Sequence, residues 1–182
     1  MLLKIVQVGD PVLRDRTRMV SREEVQSPKF EQILEWMRET MRDAPGVGLA
    51  APQVGLPLRF AVIEDNVESD QTERKPVPFH VIVNPILTMV GTGQVEHYEG
   101  CLSIEGFQAK VRRAQAVRVE GWDHHGDAVT IDAAGWYARI LQHEVDHLDG
   151  MLYIDHMDPR TFTTTRNAGL AAGPSPSRSL SP

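Results

Sequence analysis

Apolar residues recur at helical spacing in two stretches of the chain and cluster in short strand-like runs in four others. In "SPKFEQILEWMRETMRD", Phe30, Ile33, Leu34, Met37 and Met41 return every three or four residues. Ser27 stands at an N-cap position and Pro28 at the first helical position, which predicts an amphipathic helix. The second helix is expected from Asp132 or Ala133 to about Asp149, with Asp132 as N-cap and Gly150 as its stop. Along it, Trp136 and Ile140 lead into His143 and His147 on one side, while Tyr137, Leu141, Val145 and Leu148 mark another. A helix that is apolar on more than one side is normally buried, so this one should run through the core.

The runs "LRFAVIE", "HVIVNPIL", "AVRVEGW" and "AVTIDA" have strand composition. "APGVGLAAPQVGLP" is too rich in Gly and Pro for a regular element, "DNVESDQTERKPVPF" reads as an exposed excursion, and "WDHHGDA" reads as a hairpin turn. Strands and helices that do not alternate regularly favour an α+β fold, with antiparallel or mixed β-sheets packed around the second helix. Residues 1–165 are expected to form a single domain. The tail 166–182, rich in Gly, Ala, Pro and Ser, is expected to be disordered.

Length and charge narrow the class. A chain of 182 residues can bury roughly 70% of the surface it exposes when unfolded, so it needs no disulfide framework. Its one cysteine, Cys101, excludes an intrachain disulfide and fits a reducing compartment. A net charge of -6, from 19 basic and 25 acidic side chains, argues against a nucleic-acid partner held through phosphates. The start, "MLLKIVQVGDPVLR", has too short an apolar run for a signal peptide, and no stretch is long enough to span a bilayer. These features point to the cytoplasm or, for a mature form, an organelle. Monomer and homodimer are both compatible with them.

The chemistry concentrates in "ILQHEVDHLDG". Positions four apart stack on one face of a helix, so His143 and His147 can aim at a single ion. Glu144, about 100° around the axis, can reach a water there without being a ligand. Two exposed histidines on a charged helix are the simpler alternative. On a buried helix, however, unpaired imidazoles are costly, and a metal satisfies both. A catalytic site then needs a third protein ligand. Downstream, Asp149, Asp155, His156 and Asp158 are available. Upstream stands Cys101 in "EGCLS", whose soft sulfur would suit iron or zinc better than magnesium or calcium.

Three stretches together, "GVGLAAPQ" (46–53), "EGCLS" (99–103) and "QHEVDH" (142–147), resemble the motifs of peptide deformylases, in that family's order. Cys101 precedes His143 by 42 positions, again as in the family. The wording of "EGCLSIEGF" and "DHMDPRTF" is similar to a subgroup found in plant and animal organelles and in some bacteria. The resemblance implies a hydrolase that removes the formyl group from the initiator formyl-methionine of nascent polypeptides and releases formate. It implies Cys101, His143 and His147 as ligands of one divalent ion, Fe(II) natively, with zinc, nickel or cobalt as substitutes. Glu144 becomes the general base, and the Gln53 amide and Leu102 N–H become oxyanion donors. Val47, Gly48, Glu99 and Gly100 become substrate contacts, and Trp136, Arg139 and Ile140 walls of a methionine pocket. For Glu99 the alternatives are holding the loop or a plain surface carboxylate. Asp146 should face away from the ligands and pair with a cation such as Arg113. The partners implied are N-formyl-methionyl chains, met at the ribosome, with no nucleic acid or membrane bound directly. Many bacterial members carry an arginine shortly after "EGCLS", where this chain has Glu105 to Lys110. A zincin-like metallopeptidase is the competing reading; it requires a ligand downstream of His147 and gives Cys101 no role.

Overall fold

The computed structural model describes residues 1–68 and 74–171, the last three of these by backbone alone. Its helices are α1 (Arg22–Val25), α2 (Pro28–Asp43), α3 (Gly135–Leu148) and α4 (Thr165–Ala171). A five-stranded antiparallel sheet runs in the order β1 (Gly48–Ala50), β2 (Phe60–Asp65), β3 (Val77–Met89), β6 (Ala116–Trp122) and β7 (Ala128–Ala134). A three-stranded sheet runs β4 (Gln94–Cys101), β5 (Ile104–Ala114) and β8 (Thr163–Thr164). The α+β reading therefore holds.

The larger sheet is covered on both faces, which is why β2 reads "FAVI" with no polar alternation. Phe60 and Val62 pack with Phe30, Leu34, Met37 and Met41 of α2. Ala61 and Ile63, pointing the other way, pack with Leu141, Val145 and Leu148 of α3. α3 touches strands of both sheets, so the central helix expected from its two apolar rows is the element around which the layers assemble. Gln142 fixes it to β5: its side-chain carbonyl accepts from the Ala114 N–H at 3.0 Å and its amide donates to Ala114 O at 2.9 Å.

The α2 reading holds, with the Ser27 hydroxyl accepting from the Phe30 N–H. Asp123 and Gly126 make the expected hairpin turn between β6 and β7, with two backbone N–H groups donating to the Asp123 carboxylate. Other expectations are corrected. α3 starts at Gly135 and not at Asp132, because β7 stays paired to β6 through Ala134 and Asp132 is spent on Arg118 across the ladder. Gly135, at φ +61°, makes the strand-to-helix bend that a capped start would otherwise supply. Gly150, at φ +77°, does stop the helix. The "GVGLAAPQ" region is regular after all, forming β1 and a 3-10 turn over Ala51–Val54.

The 65–79 excursion is anchored at both ends. Asp65 is buried and takes a two-pronged bond from Arg74 at 2.6 and 2.8 Å, and Val77 already belongs to β3; residues 69–73 lie outside the described part. At the C-terminus, the stretch expected to be disordered from 166 begins within α4, and its remainder, 172–182, also lies outside the described residues. β4 and β5 were not expected as strands. Their inward positions include Glu99 and Arg113, so the apolar alternation that marks a half-buried strand is interrupted by charge. Among the described residues no helix is long and apolar enough to cross a membrane.

Candidate metal centre

Cys101 is the last residue of β4, where a two-residue turn over Leu102 and Ser103 leads into β5. α3 passes beneath that turn and presents His143 and His147 one helical turn apart, their rings 4.9 Å apart and nearly perpendicular. One ligand atom from each of Cys101, His143 and His147 can be chosen so that all lie within 4.8 Å of one another. Donors around one tetrahedral ion sit about 3.5 Å apart, and Cys101 Sγ lies 3.3 Å from His147 Nε2. A thiolate and two imidazoles form a borderline-soft set suited to a divalent transition metal, so the residues fit one ion. No other group of three such donors gathers among the described residues.

The surroundings favour a cation at this point. Burial disfavours charge on both imidazoles and drives the His147 pKa well below its ordinary value. At His143 burial acts the same way, but Cys101 and Glu99 outweigh it and hold the pKa well above the ordinary value. His143 Nδ1 lies 3.1 Å from a Glu99 carboxylate oxygen, which leaves Nε2 for an ion, the usual way an outer carboxylate orients a ligating imidazole.

Glu99 is not a surface carboxylate: it is buried, Arg113 donates to it twice at 3.0 Å and Arg139 once at 2.6 Å, besides the His143 contact. Burial would raise its pKa, yet the His143 and Arg113 contacts hold it well below the ordinary range. Arg113 also pairs with Asp146 at 2.5 Å, the ion pair expected of Asp146. The Arg139 guanidinium donates to Glu99 and to the carbonyls of Val111 and Val95.

Glu144 is 3% exposed, and one carboxylate oxygen is buried without a partner. Burial pushes its pKa up to about 7, a value suited to taking up and releasing a proton near neutrality. Gln53, 1% exposed, is locked by the Ala50 N–H donating to its carbonyl at 2.9 Å. Its amide is thereby turned toward the ligands, 3.3 Å from the Ser103 hydroxyl and 3.5 Å from Cys101 Sγ. Ser103, the last letter of "EGCLS", is fully buried and was missed as a support for Gln53.

Gly48 has a reason different from the one its sequence suggested. A Cβ there would fall 2.1 Å from a Glu144 carboxylate oxygen, so the glycine leaves room for the side chain of Glu144 rather than for a ligand alone. At Gly46 the added atom would meet a methyl group of Leu102 at 2.7 Å, and that flexible side chain can move. Gly48→Ala should therefore destabilise the fold by about 1–3 kcal/mol, and Gly46→Ala by clearly less. Urea midpoints measured on both variants check this; equal losses would refute the assignment.

A cleft of about 830 Å³ opens over Cys101, His143 and Glu144. Val47, Gly48, Gly100, Leu102, Trp136, Arg139 and Ile140 all border it, and so do Gln53 and Glu99. β1 is the outermost strand of its sheet. The downstream residues weighed as a third ligand are occupied elsewhere: Asp149 by Arg59, Asp155 by Arg14, His156 by Asp146, and Asp158 by the Arg160 N–H. A site completed downstream of His147 is thus disfavoured.

A sequence profile of the polypeptide deformylase family matches residues 2–163. A chloroplastic peptide deformylase 1A from Solanum lycopersicum is 49% identical over an alignment of 180 positions that covers 93% of this chain and 65% of the tomato protein. The chain thus spans just under two thirds of that relative. Peptide deformylase 1 of Streptomyces coelicolor is 48% identical over an alignment of 187 positions that covers 98% of this chain and 84% of that one. A peptide deformylase of Acinetobacter baumannii, solved with Met-Ala-Ser bound, superposes with a TM-score of 0.82 at 31% identity, covering 86% of this chain and 99% of that one.

Proposed function

Because the chain belongs to the polypeptide deformylase family, we propose that it hydrolyses the formamide of N-formyl-methionyl peptides, leaving formate and a free amino terminus. The observation that carries this reading is the convergence of three groups: a Cys/His/His ligand set, a buried carboxylate beside it and a side-chain amide aimed at it. A divalent ion held by Cys101, His143 and His147 would supply Lewis acidity and a bound water of lowered pKa. Glu144 takes a proton from the attacking water as its oxygen bonds to the formyl carbon. It then delivers that proton to the departing amine as the carbon–nitrogen bond breaks. The Gln53 amide and the Leu102 N–H donate to the formyl oxygen as it becomes anionic, which is where fixed donors lower a barrier most.

The substrate chain lies extended along the edge at Val47 and Gly48 and passes Gly100, and its methionine side chain enters the pocket walled by Trp136, Ile140 and the stem of Arg139. Fe(II) is the native ion in this reading, with zinc, nickel and cobalt as substitutes. The substrates are nascent chains leaving the ribosome, in a bacterial cytoplasm or an organelle.

Cys101→Ala separates this function from a zincin-like peptidase. Loss of an outer partner of a ligand already costs about 10–100-fold in metal affinity or activity. Loss of the thiolate itself should therefore lower formate release by at least about 100-fold, together with metal content. Protein purified without oxygen is assayed for metal and for formate released from formyl-Met-Ala-Ser. A Cys101→Ala protein that kept both would overturn the proposal.

A further inference from the structure

The two donors proposed for the formyl oxygen sit on different parts of the fold, Gln53 after β1 and Leu102 in the turn between β4 and β5. One three-residue segment near the N-terminus joins them. Val6 N–H donates to Gln53 O at 2.9 Å, and Val8 N–H donates to Ser103 O at 2.8 Å. Between them, the Gln7 amide donates to Leu102 O at 2.9 Å while its carbonyl accepts from the Glu105 N–H at 3.3 Å. Gln7 also borders the cleft. It thus brackets the turn that carries Cys101 and Leu102 with both ends of its side chain.

Peptide groups are planar, so holding a carbonyl holds the whole plane. Gln7 fixes the plane after Leu102, and Val8 fixes the one after Ser103. A metal on Cys101 would restrain the residue before. The Leu102 N–H lies in the plane of the Cys101 carbonyl, at the strand pair Cys101–Ile104, so this plane and the one Gln7 holds flank Leu102 and together set the turn. Without Gln7 the plane after Leu102 keeps only the 3.4 Å contact of the Ser103 N–H with Cys101 Sγ, so the turn loosens and the donor is aimed less tightly at the charge it has to meet.

We infer that Gln7 is a positioning residue, which aims the Leu102 N–H at the formyl oxygen by clamping the Leu102–Glu105 turn. This rests on the deformylase reading for its catalytic consequence but not for the clamp itself. The test compares wild type, Gln7→Leu and Gln7→Glu, the last keeping an acceptor for Glu105 N–H but setting a carboxylate against Leu102 O. A hydrogen bond of ordinary net worth corresponds to about a two- to tenfold effect.

Both variants should therefore lose kcat by about that factor. KM for formyl-Met-Ala-Ser and Kd for unformylated Met-Ala-Ser, which lacks the oxygen in question, should stay within about twofold. Metal content should be unchanged, and amide hydrogen exchange at Glu105 should accelerate in Gln7→Leu, which leaves that N–H without its acceptor. Unchanged kcat, a fall in kcat that merely follows metal loss, or a rise in KM and Kd at constant kcat would each overturn the inference. Wild-type protein that released no formate would sink the deformylase reading instead. Glu105 exchange unaltered in Gln7→Leu would sink the clamp whatever the activity.

Discussion

Glu144→Gln is expected to lower kcat for formate release by about 10²–10⁴-fold while the protein folds normally and keeps its metal. Glutamine matches the shape of glutamate but cannot carry the proton from water to amine. The position is not a ligand, so metal content should equal that of wild type. Stability should not suffer either. Glu144 is buried with an unpaired carboxylate oxygen, and a neutral amide costs less to bury than a charge. A thermal midpoint equal to or above that of wild type, beside a collapsed kcat, would mark a group kept for function at some expense to stability. Turnover within about tenfold of wild type would remove Glu144 from the role of base.

Glu99→Ala should fail differently. Its carboxylate is the common acceptor of Arg113, Arg139 and His143, and both arginines are buried with it. Truncation leaves the Arg139 guanidinium without a carboxylate and Arg113 with Asp146 alone, and removing one partner of a buried ion pair costs about 3–5 kcal/mol. At about 2–4 °C per kcal/mol for a domain of this size, the thermal midpoint should drop by about 6–20 °C. Metal affinity should fall by about 10–100-fold as well, because His143 loses the group that orients it. Calorimetry and metal titration on the purified variant decide this. A variant with wild-type stability would show that Glu99 does not hold the network together. Asp146, which shares Arg113, would then have to carry more of the compensation.

The two variants mark where a reading of the chain alone is sufficient and where it is not. Glu144 could be assigned from spacing, because a helix places residues 143, 144 and 147 by its own geometry. Asp146 was paired correctly with Arg113. Glu99 was misjudged because nothing local distinguishes a buried carboxylate from a solvated one. It is made buried by an arginine 14 positions away, another 40 away and a histidine 44 away. The same charges concealed β4 and β5, whose pattern resembles a surface loop until Arg113 is matched with its partners. Gln7 lies in a segment with no periodicity of its own and acquires a role only where it meets a turn 95 residues further along.

From its sequence alone the chain determines α2, the burial of α3, the strand-like runs and the candidate metal donors Cys101, His143 and His147 that the fold gathers. These depend on short-range periodicity and on side-chain chemistry, and neither requires a partner from elsewhere. Tertiary structure decided the rest: the lock on Gln53, the space that Gly48 leaves for Glu144, the burial of Glu99 and the bracket formed by Gln7. Each depends on a contact between distant segments. A polar group in the interior is tolerated only when such a contact satisfies it, so its meaning is absent from its own neighbourhood in the chain.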